Sequence, residues 1–600
     1  MILVNSKRTV CRIDYPIFPL RSIPGFAAEN LIVTRSFGFR LDNRSELIFE
    51  LNLDRASDDD DILKAAWSTW GEEMPVQMRG SFAFCLVDRE AECVFMARDP
   101  IGVSPLYYFA SDVQLIVGSS SKLVRSMVRG NLPVNDLMLA DFVSGASIEN
   151  EQTFFEGILR LPAGHTLTVN QDTRKQNQYW SFAKAVVDPP DIPEEQVFRE
   201  LFDRSVEQCF EKGSTILMLS GGLDSSSIAG SIASKGVRGE ELPCISMTYH
   251  GTENWRDSEH LAALSAFLEL NPVQVPSDDH DPLDKMDFWL DALDGPYVMP
   301  GHSVSFRLRP LVKSMGFSVV LCGEGGDEVV SHGFGRLNEL AQSGNWMSLW
   351  KECGAFSEMS KTSRWQIFKP YLTHIPFYRF VRKIRNFLSL DQRPSSSSQR
   401  FIDGEYLSDR LQESIDPERY NMRFAISTRG HSDKELQLES LSSATLSSVL
   451  EAHAICSEAV GVETRMPFYN QELIEYSLSL PSEWKLRYGL SRYILRKAMK
   501  GDVPASVLSR TDKFDFSGNF MRGLLKDPTG LLELSDPDHN DIGHYVNTKL
   551  VIGIRNKIET VPDDLGWIEA LFIWRVAVLS LWLRICGKKL SPPSDLIEIG

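Results

Sequence analysis

One segment constrains this chain more than any other: Ser220-Gly221-Gly222-Leu223-Asp224-Ser225-Ser226. The apolar run Thr215-Ile216-Leu217-Met218-Leu219 leads straight into it, and the small-residue stretch Ser227-Ile228-Ala229-Gly230-Ser231-Ile232-Ala233 follows. That order reads as a buried strand, a tight glycine turn and a helix start. Paired glycines let the backbone approach a ligand closely, and the free N–H groups of the helix start point at an anion. Asp224 adds a carboxylate beside the bound anion, which makes sense when a cation such as Mg²⁺ lies between the two. A Gly-Gly turn alone is commonly structural; the whole string directly after a strand points to a nucleotide.

No Gly-Lys-Ser/Thr follows, so the segment is not a Walker A loop. It is similar to the pyrophosphate loop of enzymes that split ATP into AMP and pyrophosphate. A second motif repeats the pattern. Ser318-Val319-Val320-Leu321-Cys322 reads as another buried strand and runs directly into Gly323-Glu324-Gly325-Gly326-Asp327-Glu328. In isolation this would be an acidic, glycine-rich surface loop. As one of a pair, each just past a strand where open α/β sheets hold ligands, it places Asp224 and Asp327 to bracket one Mg²⁺ on the phosphates of ATP.

These two motifs resemble those of the asparagine synthetase family. Arg465-Met466-Pro467-Phe468-Tyr469-Asn470 is similar to that family's Arg-x-Pro-Phe-x-Asp stretch, with Asn470 where Asp is usual. Leu495-Arg496-Lys497-Ala498, Val503-Pro504 and Arg510-Thr511-Asp512-Lys513-Phe514 follow in the family's order, so the resemblance covers nearly the whole chain. It implies a PP-loop ATP pyrophosphatase domain. There, backbone N–H groups near Gly221 and Gly222, with the hydroxyls of Ser220, Ser225 and Ser226, hold the β- and γ-phosphates. Asp224 and Asp327 bind Mg²⁺. Lys513 matches the family's lysine that stabilises charge on the phosphate and the acyl intermediate; the bland alternative is a surface lysine. Glu324 is the candidate general base for the attacking amine, given a pKa raised by burial or neighbouring acids; otherwise it orients the loop. Met218 and Met247 match positions that wall the nucleotide, or are plain core. Gly323 lets the AMP moiety lie against the backbone.

The expected class is α/β, or α+β overall. Residues 1–185 form a degenerate glutamine amidotransferase-like domain, 186–193 a Pro-rich linker, and 194–600 the synthetase-like domain with a parallel sheet and helical additions. In the first part, Gly80-Ser81-Phe82-Ala83-Phe84-Cys85-Leu86-Val87-Asp88 and Val94-Phe95-Met96-Ala97-Arg98-Asp99 read as strands. Arg98-Asp99-x-x-Gly102-x-x-Pro105-Leu106-Tyr107 resembles the glutamine-hydrolysing domain of asparagine synthetases, implying an Ntn-type sandwich of antiparallel sheets. The net charge of −18 argues against non-specific nucleic-acid binding. Nine scattered cysteines without a Cys-x-x-Cys pair fit reduced thiols of a cytoplasmic protein. No signal peptide is recognised, and residues 570–585, carrying Arg575 and Arg584, read as a core helix rather than a membrane span. Asp58-Asp59-Asp60-Asp61 reads as a solvated helix start, residues 379–385 as a basic helix face or docking patch, and residues 394–399 as a serine-rich loop.

The active amidotransferase domain uses a cysteine as its first mature residue. This chain begins Met1-Ile2-Leu3-Val4, its first cysteine is Cys11, and an internal cysteine has no free α-amine. The domain is therefore expected not to hydrolyse glutamine. Family relatives with a defunct N-terminal domain close rings, making β-lactams or lasso peptides. The β-lactam-forming ones tend to carry Tyr where this chain keeps Glu324, so the layout most resembles a lasso peptide cyclase. That resemblance implies macrolactam formation between the α-amine of a precursor peptide and an Asp or Glu side chain within it. A leader peptidase and a leader-binding protein are the implied partners. Two alternatives stand beside it: an amide ligase using ammonia or another small amine, as an asparagine synthetase does, and a catalytically dead scaffold.

Overall fold

The computed structural model describes residues 2–5, 10–14, 31–111, 114–146, 148–185, 194–249, 257–297, 300–360, 362–374, 404–415, 431–511, 517–538 and 542–586. The Pro-rich linker, the basic segment 379–385, the serine-rich segment 394–399 and Lys513 lie outside the described residues.

The N-terminal part is built on two five-stranded antiparallel sheets. One runs Ile2–Asn5, Val10–Asp14, Gln114–Gly118, Tyr107–Ala110, Ile158–Arg160; the other runs Arg174–Gln178, His165–Val169, Cys93–Arg98, Ala83–Asp88, Leu31–Arg35. The two central strands of the second sheet are buried at every position. Alternation divides their side chains between two cores. Cys85, Val87, Val94 and Met96 face the first sheet, where Leu115 and Val117 meet them. Phe84, Leu86 and Phe95 face Ile62, Leu63 and Ala66 of the helix Asp59–Trp70. That helix starts at the four-aspartate run as expected: Asp58 caps it in a reciprocal box with Asp61, and Asp59 and Asp60 pair with Arg35.

The second part holds a five-stranded sheet, all parallel, in the order Val273–Pro276, Cys244–Thr248, Thr215–Met218, Val319–Leu321, Glu463–Arg465. The fifth strand comes from the stretch leading into Arg465-Met466-Pro467, beyond a long helical insertion. The two motif strands, Thr215–Met218 and Val319–Leu321, are hydrogen-bonded neighbours, with Leu217 opposite Leu321. Both motifs therefore leave the same sheet edge side by side.

The two parts share a core. The helix Trp567–Cys586 buries Trp574, Val578 and Trp582 in a cluster that includes Ile116, Val124, Leu139, Phe142 and Val143 of the N-terminal part. A polar contact lies beside that cluster. Glu451, on the helix Ala444–Val460, is ion-paired to Arg98 Nη2 at 2.9 Å and Arg160 Nε at 2.8 Å, and accepts a hydrogen bond from the Tyr107 hydroxyl at 2.8 Å. All four residues are buried. Among the described residues, no helix is long and apolar enough to cross a membrane.

Candidate functional site

A cleft of about 580 Å³ opens at the carboxyl edge of the parallel sheet. Its lining brings together Met218, Ser220, Gly222, Asp224 and Ser225 from the first motif, Met247 from the next strand, and Gly323, Glu324 and Asp327 from the second. The first loop is closed by its own hydroxyls: Ser225 Oγ accepts from the Ser220 N–H at 3.2 Å and lies 3.1 Å from Ser220 Oγ, which accepts from the Gly222 N–H at 3.2 Å. Gly221 takes a φ of +72°, a turn open to glycine at no steric cost. The helix Leu223–Ser234 then starts inside the motif, with Gly222 as its N-cap, so Asp224 sits in its first turn. Ser226 is fully buried off the cleft wall, and Gly221 too lies outside the lining, although both were expected to hold phosphate. The helix can lie flat because it is made of small residues: a Cβ on Gly230 would come within 2.8 Å of the Asp502 carbonyl.

Glycine also sets the distance between the two loops. A Cβ on Gly323 would come 2.8 Å from the Ser225 backbone nitrogen, and one on Gly326 would come 2.4 Å from Asp224 Oδ1. Gly325, at φ +96°, turns the chain against the ring of Tyr469. The Gly-Glu-Gly-Gly-Asp string is thus a spacing device that seats Asp327 beside Asp224.

Between those carboxylates the sequence reading missed a residue. Arg492 Nη1 lies 2.6 Å from Asp224 Oδ2, 2.8 Å from Asp224 Oδ1 and 2.7 Å from Asp327 Oδ1. Arg492 adopts a left-handed backbone (φ +52°) just ahead of the short helix Tyr493–Ala498, which aims its side chain into the cleft. Burial alone would lower its pKa; Asp224 and Asp327 outweigh burial and hold it above its usual range. Arg496 stands behind it, pushed down to about 10 by burial and by Arg492 itself. Arg510 donates to the Gly221 carbonyl at 3.2 Å. In the sequence Arg492 lies just ahead of the matched stretch Leu495-Arg496-Lys497-Ala498, which includes Arg496 but does not reach back to Arg492.

Glu324 faces three buried polar side chains. Burial, then neighbouring charges including Glu324, drives the Tyr297 and Tyr469 phenols well above their usual range. Arg309 is lowered by burial, with Glu324 among the charges that oppose the fall. Its guanidinium is held by His453 Nδ1 at 2.7 Å and Thr464 Oγ1 at 3.0 Å. The outer lip of the cleft is aromatic: His332 stacks on Phe334, and Phe334 meets Phe356 edge to face.

Two carboxylates from adjacent loops, converging within hydrogen-bond distance of one nitrogen, form a hard-oxygen donor pair of the kind Mg²⁺ takes together with substrate phosphates. A helix N-terminus and three arginines beside them suit a polyphosphate. The residues therefore fit the expected Mg²⁺ and ATP. Elsewhere, Arg98 and Asp99 have a structural task. Asp99 Oδ1 accepts from the N–H groups of Ile101, Gly102 and Val103, and Oδ2 from that of Ser104. Arg98 reaches the carbonyls of Gly102, Ser104 and Leu161 as well as Glu451.

Residues 197–551 match the asparagine synthase family, and residues 42–180 match the glutamine amidotransferase domain. Among curated relatives, asparagine synthetase [glutamine-hydrolyzing] 2 of Bacillus subtilis is 24% identical over 84% of this chain, which spans 65% of that relative. Asparagine synthetase [glutamine-hydrolyzing] 1 of the same organism is 22% identical over 90% of this chain and 82% of its own length. Amidase chry2 of Gibberella zeae is 22% identical over 76% of this chain and 72% of its own length.

Proposed function

The chain belongs to the asparagine synthase family, and from that premise we propose that it is an ATP-dependent, AMP-forming amide ligase. A substrate carboxylate oxygen attacks the α-phosphorus of ATP, giving an acyl-AMP and pyrophosphate. An amine nitrogen then attacks the acyl carbon and AMP leaves; the amine's proton goes to Glu324. Asp224 and Asp327 would hold Mg²⁺, which would supply charge neutralisation for the pyrophosphate leaving group. The observation that carries this reading is the convergence of Asp224 and Asp327 on one cation position, 2.6 and 2.7 Å from Arg492 Nη1. The test is AMP and pyrophosphate formation with substrate: Asp224→Asn is expected to reduce it by about two orders of magnitude, the several kcal/mol a metal contributes. Unchanged turnover refutes the assignment.

For the substrate we propose a precursor peptide closed into a macrolactam of the lasso type, its own α-amine being the nucleophile. Support comes from the lip. A free aspartate would need a cation for its α-carboxylate, yet the arginines lining the cleft, Arg492, Arg496 and Arg510, lie at the first loop, while the outer wall is Phe334 and Phe356, with His332 stacked on Phe334 and turned to Asp327 at 3.5 Å. Such a wall suits apolar side chains, and holding a peptide with its two ends together is mainly entropic work. A leader peptidase and a leader-binding protein would supply and deliver the trimmed peptide. The second reading, asparagine formation from aspartate and ammonia, is favoured by the names of the relatives. ATP, Mg²⁺, aspartate and ammonium decide between them: asparagine appearing together with AMP and pyrophosphate removes the peptide reading. Cyclisation of a linear peptide, with loss of one water and release of AMP, removes the other.

A further inference from the structure

We propose that Arg492 is an exchangeable internal cation that closes the metal position until nucleotide arrives, so that the divalent ion enters only together with ATP. This rests on the nucleotide reading of the cleft but not on the identity of the acyl substrate.

The geometry carries the argument. One nitrogen, Arg492 Nη1, lies within 2.8 Å of both Asp224 oxygens and within 2.7 Å of Asp327 Oδ1. A divalent ion ligated by the same oxygens sits at about 2.1 Å from each, a position that overlaps that nitrogen. Ion and guanidinium therefore exclude one another. A free divalent ion must compete with a tethered, already desolvated cation, and displacing that cation leaves a guanidinium buried against Arg496. Burying a charge without a counter-charge is costly. Nucleotide changes the balance, because its phosphates offer Arg492 an anion to move onto, and planar guanidinium groups suit phosphate oxygens. The side chain has a hydrogen-bonding group in reserve: Arg492 Nε is buried without a hydrogen-bond partner among the described residues. The left-handed backbone at Arg492 sets where its side chain enters the cleft.

The exchange predicts an order of binding. Mn²⁺ is the probe, followed by the loss of its free electron paramagnetic resonance signal on titration into the full-length protein, with no substrate present. Wild type is expected to leave Mn²⁺ free without nucleotide and, when ATP is added, to take it up beyond the loss of signal that the same ATP causes in a protein-free control. Arg492→Gln, neutral and of similar length, is expected to bind Mn²⁺ without nucleotide at least tenfold more tightly than wild type, and to bind ATP more weakly. Arg492→Lys, which keeps the charge, is expected to behave like wild type in the absence of nucleotide. Equal Mn²⁺ binding by wild type and Arg492→Gln without nucleotide overturns the exchange, as does a failure of Arg492→Gln to bind Mn²⁺ at all. Wild type that takes up Mn²⁺ with ATP but forms no amide from any substrate leaves the exchange standing and removes the ligase reading instead.

Discussion

Removing Glu451 should weaken the joint between the two parts of the molecule by an amount the contacts define. Its carboxylate neutralises two buried guanidiniums, at 2.9 Å from Arg98 and 2.8 Å from Arg160, and takes the Tyr107 hydroxyl. The two arginines differ in what remains to them. Arg98 keeps three backbone carbonyls at 2.7–2.9 Å, whereas Arg160 keeps the Glu149 carbonyl at 3.3 Å. Most of the loss therefore falls on Arg160: burial lowers its pKa most, but Glu451 and Tyr107 together outweigh burial and hold it raised. Breaking one buried pair by deleting a partner costs about 3–5 kcal/mol, and Glu451→Ala is expected within that range. Because the uncompensated charge is Arg160, the double variant Glu451→Ala/Arg160→Met should cost no more than Glu451→Ala alone. Urea unfolding followed by tryptophan fluorescence is the assay, read both for its midpoint and for a single transition splitting in two. A Glu451→Ala loss under about 1 kcal/mol, or additive losses in the double variant, would falsify this account.

Gly323→Ala should reduce nucleotide binding at least tenfold, measured by calorimetry, since its Cβ would meet the Ser225 nitrogen at 2.8 Å and part the two loops. Asn470→Asp keeps the cap on the Leu473 N–H of the helix Gln471–Ser479 but loses the amide's bond to Gln208 Oε1, and should cost about 1 kcal/mol; Asn470→Ala, which loses both, should cost more in the same unfolding assay. His280 is lowered from 6.5 to about 4 by burial and by Arg307, which donates to its Nδ1 at 2.9 Å. The folded state favours the neutral ring, so stability present above about pH 6.5 should fall as pH drops toward 4. His280→Gln should flatten that part of the stability–pH curve, and an unchanged slope would count against the assignment.

The motif strands, the glycine turns, the acidic helix start at Asp58 and the buried helix ending the described chain were legible because each is a local pattern. A strand buried on both faces reads as an apolar run, and a cap reads as an acid before a periodic stretch. What escaped the sequence depends on distant partners. The strand Glu463–Arg465 is short and polar, and only its pairing with Val319–Leu321 makes it part of the sheet. Arg492 looks like any basic residue before a short helix until the fold sets two aspartates around it. Asn470 seemed a departure from a family pattern; its oxygen caps the helix as a carboxylate would, and its amide also donates to Gln208 Oε1 at 3.2 Å, a bond that only the fold reveals. Arg98 and Asp99 were readable as a motif, and Asp99-Pro100-Ile101-Gly102 as a turn, but the carboxylate Arg98 meets across the interface, Glu451, was not.

The cluster joining the helix Trp567–Cys586 to Ile116, Leu139 and Phe142 bears on how such a chain can be divided. The last described helix completes the hydrophobic interior around Ile116, Leu139 and Phe142 of the first domain, so the two parts share one interior. A fragment cut at the inter-domain linker would expose Trp574 and Trp582 on one piece and an open apolar face on the other. Recombination that swaps the front half for an unrelated relative's would have to match this seam, side chain by side chain. The two parts can therefore change their chemistry independently, but they are inherited as one body.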